Sequence, residues 1–239
     1  MEPRTAIQSS PLRASVRALP RLSRRSGFWA VAFSFLIVTA LSTAPSSLYG
    51  LYELHEHLSP LTITIVYAVY AAGVTTSLLL AGHVSDWYGR RAVLIPAVTL
   101  ATAAAVLFIS WQSLAGLLVA RVLTGLALGA TVATATAYIA DLDAGPEGAV
   151  TRRAGIVSTI ANVGGLAIGP LATGLLARYA PDGLTLPYIV LLVALVVAAL
   201  AVVLAPDGRR HSPARRSSSR SVPGSSYRPP PPTGRPTAS

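Results

Sequence analysis

Six apolar runs divide the sequence, each near the length of helix that crosses a bilayer. A hydrocarbon core of about 30 Å takes about 20 residues at a rise of about 1.5 Å each. The runs extend over Phe28 to Tyr49, Leu61 to Gly82, Ala92 to Ile109, Leu114 to Ala140, Ala154 to Ala177 and Pro187 to Leu204. Inside lipid, backbone N–H and C=O groups must be paired within the protein, so a span is either a helix or a strand of a closed barrel. Barrel strands alternate in polarity over about ten residues. Runs such as LPYIVLLVALVVAALAVVLA show no alternation. The expected fold is therefore all-α and integral to the membrane, six transmembrane helices joined by short connections that force neighbours to lie antiparallel. Composition agrees, because only 12% of residues are charged and 52% are hydrophobic. A typical soluble domain carries about 25% charged residues, so this chain has too few to clothe a water-facing surface.

The basic residues mark sidedness. Arg4, Arg13, Arg17, Arg21, Arg24 and Arg25 precede the first span, Arg90 and Arg91 join the second to the third, and Arg152 and Arg153 join the fourth to the fifth. Arg209, Arg210, Arg215, Arg216 and Arg220 follow the last. The alternate connections hold Glu53 and Glu56 without a base, then the uncharged SWQS, then Arg178 balanced by Asp182. Because short basic loops stay on the cytoplasmic side, both termini are expected there, in a multi-pass protein of the plasma membrane. The expected organisation is an arginine-rich cytoplasmic tail over 1–27, a six-helix domain over 28–206 and a disordered Arg/Ser/Pro-rich cytoplasmic tail over 207–239. Arginines distributed in this way predict a lipid bilayer as the surroundings and no nucleic-acid partner. The sequence has no cysteine, and it lacks H-E-x-x-H, G-x-S-x-G and a phosphate-cradling glycine loop. Neither a metal, a cofactor nor enzymatic activity is expected.

The second-to-third connection is the most informative segment: Gly82-His-Val-Ser-Asp86-Trp-Tyr-Gly89-Arg90-Arg91-Ala-Val-Leu94. Gly82 and Gly89 suit a tight reversal that needs positive φ. Asp86 suits the positive end of the following helix, and Arg90 and Arg91 can fork onto carboxylates. Taken whole, the segment resembles the signature loop between helices two and three of the major facilitator superfamily, G-x-L-A-D-x-x-G-R-[RK]-x-x-L. Val84 and Ser85 depart from it conservatively, and Trp87 stands where a basic residue is common. The resemblance implies a fold of two six-helix halves, each a 3+3 inverted repeat, with the substrate site between them. This chain resembles the amino-terminal half. The resemblance further implies that Asp86 and Arg90 belong to a charge cluster that latches the halves on the cytoplasmic side. A partner carboxylate is expected at the cytoplasmic end of helix four, where Asp141 stands.

Two further spans carry the resemblance. Arg121, Gly125 and Gly129 match an R-x-x-x-G-x-x-x-G pattern in helix four, and their spacing puts all three on one helical face. The glycines allow close approach of a neighbouring backbone. A charge at the position of Arg121 costs at least ~2.5–3.5 kcal/mol on insertion scales, so it is expected to face a partner or a water-filled cavity, with snorkelling to the helix end as the alternative. In the fifth span, Gly165, Gly169, Pro170 and Gly174 resemble the G-x-x-x-G-P-x-x-G-G element of proton-coupled drug exporters, with Thr173 in place of one glycine. Pro170 is expected to kink or pivot this helix. No Asp or Glu lies in any of the six runs, although proton exchange within a membrane calls for one. Tyr67, Tyr70, Thr131, Thr134, Tyr138 and Asn162 are candidate cavity-facing polar residues, with packing the alternative favoured for most of them, since a helical Thr can satisfy itself on its own backbone. The function implied is secondary active transport of a small solute or drug by alternating access, with proton-coupled efflux favoured by the fifth span. A lone half lacks the opposite wall of its cavity, so a second copy or a separate carboxy-terminal half is the expected partner. The alternative is a truncated half without transport activity of its own.

Overall fold

The computed structural model describes residues 22–49, 59–144, 151–179 and 182–207. Its helices are α1 (Arg24–Thr43), continued by a 3-10 turn (Ala44–Ser47), then α2 (Pro60–Tyr88), α3 (Arg90–Ser110), α4 (Leu114–Asp143), α5 (Arg152–Tyr179) and α6 (Leu186–Leu204). All six are long and apolar enough to cross a membrane, and no strand occurs among the described residues. The tails expected over 1–21 and beyond 207, together with Glu53 and Glu56, lie outside the described residues.

Polar caps explain where the helices begin. The Ser23 hydroxyl accepts the Ser26 N–H before α1, and Ser59 accepts that of Thr62 before α2. Each satisfies a backbone donor that the helix itself leaves open. Prolines open α2 and α6 in their first turn, where the missing N–H costs nothing. Capping at Ser23 starts α1 at Arg24, ahead of the apolar run that begins at Phe28. Helix α2 also outruns its apolar segment, continuing through Gly82 to Tyr88. Gly82 is therefore a helical residue and not part of a reversal. Gly89, at φ 95°, makes the whole turn alone, ending α2 and starting α3.

Helix α1 is the axis of the bundle, packing against α4, α5 and α6, while α2 and α3 pack on α4. Of the most apolar 18-residue stretch of each helix, 78% is buried in α1, but only 17% in α2 and 22% in α5. Alternation of direction brings the start of α1, the α2–α3 turn, the end of α4, the start of α5 and the end of α6 to one end, which holds Arg24, Arg25, Arg90, Arg91, Arg152 and Arg153.

Candidate functional site

At the arginine end, the α2–α3 turn is tied to α4. Arg90 extends Nε to Oδ2 of Asp141 at 3.5 Å and donates from Nη1 to the Ser85 hydroxyl at 2.6 Å. Both members of the ion pair are mostly enclosed, at 17% and 14% side-chain exposure. Such a pair lies between an exposed one, worth ~0–1 kcal/mol, and a buried one, whose rupture costs ~3–5 kcal/mol. Arg24 adds a second tie to α4 by donating to the backbone carbonyl of Asp141 at 2.5 Å. Asp86 falls in the last turn of α2, and Gly89 rather than Asp86 occupies the N-cap of α3. The Asp86 carboxylate lies outside the described side chains.

Arg91 points elsewhere. It pairs with Asp207 at 3.3 Å and donates to the carbonyl of Val203 at the end of α6. The same stretch is held by the Tyr138 hydroxyl, which donates to Pro206 O at 2.6 Å, and by the Leu22 N–H, which donates to Leu204 O at 2.8 Å. Pro206 also lies on Gly27, where an added Cβ would come within 2.5 Å of its ring. Tyr138, a candidate for either a cavity-facing or a packing role, seats the residues that follow α6. Asp143 at the end of α4 is shared by Thr151 and Arg153 from the start of α5, the latter at 3.5 Å.

Arg121 lies in the third turn of α4 (Leu114–Asp143), toward the opposite end, and is 1% exposed. It therefore does not snorkel. Nη1 donates to the carbonyl of Ser42 at 2.8 Å, where α1 approaches its end. The guanidinium sits over three tyrosine rings, with Cζ 5.2 Å from the centroid of Tyr49, 5.6 Å from Tyr67 and 5.1 Å from Tyr70. A buried charge costs several kcal/mol even after relaxation. Three cation–π contacts at ~0.5–2 kcal/mol each and one charged hydrogen bond at ~1.5–3 kcal/mol offset a cost of that size. The cage makes the arginine tolerable, yet Nε and Nη2 have no hydrogen-bond partner among the described residues.

The glycines of α4 form the seam with α2. A Cβ on Gly125 would meet Val74 N at 3.2 Å and Gly73 Cα at 3.3 Å, and one on Gly129 would strike the Ser77 hydroxyl and the Val74 carbonyl. Helix α5 approaches α1 in the same way at Gly165, where a Cβ would lie 2.6 Å from Leu36 O, and at Gly169 against Ala40 O and Thr43. Gly174 is looser, with Ser47 Cβ at 3.6 Å. The helix passes through Pro170 without interruption. Next to it, Thr173 is buried, its hydroxyl donating to Gly169 O at 2.8 Å, with Ala44 O at 3.1 Å and the Ser47 hydroxyl at 2.7 Å also within reach. The residue that departs from the exporter pattern is thus a polar pin between α5 and the 3-10 turn.

A cleft of about 340 Å³ opens between α1, α4 and α5, lined by Phe35, Val132, Thr136, Ser158, Thr159 and Asn162 among others. Tyr67 and Tyr70 face Arg121, while Thr131 and Thr134 are fully buried within the bundle. The cage and the cleft are separate, since Arg121 and Val132 are about 16 Å apart along α4 at ~1.5 Å per residue.

The family model described as Major Facilitator Superfamily matches residues 14–235. The chain belongs to the major facilitator superfamily. Among solved structures it is similar to that of the superfamily's proton:xylose symporter XylE bound to 6-bromo-6-deoxy-D-glucose, with 15% identity and a TM-score of 0.63. The match covers 77% of this chain and 45% of the symporter chain, so this chain spans less than half the length of that protein. At that identity the likeness is one of fold: six helices corresponding to one half of a major facilitator fold. No curated protein matches the chain.

Sequence reasoning missed several members of these clusters. In sequence, Tyr49 is only the end of an apolar run and Ser85 a small residue that the loop pattern tolerates. Gly73 carried no signal because its partner glycines lie on another helix. The seat for Pro206 and Asp207 was hidden by a composition that reads as the beginning of a tail.

Proposed function

We propose that the chain forms one half of a secondary active transporter that moves a small solute or drug by alternating access. The observation that carries this reading is the tie between the α2–α3 turn and α4, in which Arg90 joins Asp141 and Ser85. A partly enclosed ion pair at the rim of a helical bundle has two stable arrangements, made and broken, and its exchange can gate one side of a cavity. Asp86 and Arg90 act in this reading as the latch, with Asp141 as the carboxylate that receives the arginine. The arginine end is the cytoplasmic side, both termini lie there, and the host membrane is the plasma membrane, on the strength of the loop charges.

Efflux coupled to protons is the direction we favour, supported by the Gly165, Gly169, Pro170 and Gly174 element of α5. The proton-carrying carboxylate of such a cycle comes from outside the six apolar runs, which contain none. A second copy of the chain or a separately encoded carboxy-terminal half supplies the opposite wall. Helices α2 and α5 are the surfaces it covers, because they bury the least of their apolar length. Asp86→Asn or Arg90→Ala is expected to reduce transport by at least tenfold while leaving membrane insertion intact. Efflux or uptake measured in cells with equal membrane levels of variant and parent tests this, and unchanged transport would remove the latch. Supplying a carboxy-terminal half in the same cells tests the second reading, a half inactive by itself.

A further inference from the structure

Arg121 presents an unused recognition edge. Of the three guanidinium nitrogens, Nη1 is occupied by Ser42 O, whereas Nε and Nη2 have no partner among the described residues. Those two atoms share one edge of the planar group, and their N–H bonds run parallel. A carboxylate matches that edge with two oxygens at once, while a hydroxyl or a single carbonyl satisfies one donor and leaves the other. No Asp or Glu occurs within the six apolar runs to take the position. The walls are aromatic: Tyr49, Tyr67 and Tyr70 ring the guanidinium. Tyr49 is buried, whereas Tyr67 is 40% exposed, so the cage is least covered on the Tyr67 side.

We infer that Arg121 anchors the carboxylate of a small aromatic organic acid, with the tyrosines packing its flat apolar body. The inference rests on the transporter reading and narrows its solute from any small molecule to an organic anion. A carboxylate contributed by a protein side chain is the competing occupant, and the experiment separates the two.

The full chain, purified in detergent, is titrated with benzoate, with benzamide as the neutral isostere and chloride at matched ionic strength. Benzoate is expected to bind saturably and raise the unfolding midpoint, with benzamide and chloride doing neither. Arg121→Met should abolish the response. Arg121→Lys keeps the charge but loses the fork and should weaken binding by about tenfold. Tyr67→Ala, which leaves the arginine and the enclosed rings in place, should change benzoate affinity without changing the midpoint of the unliganded protein by more than a few degrees. Equal responses to benzoate and benzamide, or a benzoate response that survives Arg121→Met, would overturn the inference. So would benzoate binding that emerges only after Glu53→Gln and Glu56→Gln, which would assign the edge to the chain's own carboxylates. Because binding is read without transport, saturable benzoate binding with no transport of any solute would remove the transporter reading and leave this one standing. Transport without benzoate binding would do the reverse.

Discussion

Arg90 and Arg91 are neighbours in sequence with different tasks. Arg90 reaches back to Ser85 and across to Asp141, while Arg91 reaches the end of α6. A doubled arginine looks like redundancy until each side chain is followed to its partner. The two should therefore separate in a stability experiment. In a double-mutant cycle, Arg90→Ala and Asp141→Ala are expected to be non-additive by ~1–3 kcal/mol, the range for contacting residues in one network. Arg91→Ala combined with Asp141→Ala should add within ~0.5 kcal/mol. Chemical unfolding of the purified chain in detergent measures both, and equal coupling in the two cycles would contradict the division of labour.

At the scale of the helix, glycine identity alone does not say what a glycine is for. Gly82 belongs to the same loop signature as Gly89, yet it is helical and a Cβ there meets nothing within 4 Å. Gly82→Ala should be neutral or stabilise by up to ~1 kcal/mol through helix propensity. Gly125→Val and Gly129→Val force a side chain into the backbone of α2 and should destabilise by ~1–3 kcal/mol. Thermal unfolding ranks the three, and a Gly82→Ala as damaging as Gly129→Val would show that the turn extends into α2. The same contrast explains what sequence could and could not reveal. The six spans were legible because lipid demands long apolar helices and little else satisfies that demand. The seam glycines of α4 were legible because i, i+4 spacing is local. Helix ends and the arginine contacts were not, since Ser23 capping, the reach of Arg91 and the three-tyrosine cage depend on helices far apart in sequence. Tyr138 illustrates the limit: its place on α4 allowed a cavity or a packing role, and only the path of the chain after α6 shows what its hydroxyl meets.

For the whole molecule, sidedness is the property most directly open to test. The sequence has no cysteine, so single cysteines report on one position each without background. Cysteines at Arg91 and Arg152 should react with an impermeant thiol reagent only after the plasma membrane is opened, and one at Gln112 should react in intact cells. Labelling of position 91 from outside would invert the topology. The hydrogen bond between Leu22 and Leu204 carries a different consequence. It places the entry to α1 beside the exit from α6, on one face of the bundle. A second bundle joined in tandem after Asp207 therefore starts from the side on which the first began and inherits the same polarity across the membrane. Fixing the exit against Arg91, Tyr138 and Gly27 also gives any chain that leaves α6 a defined starting point, beside the point at which α1 begins.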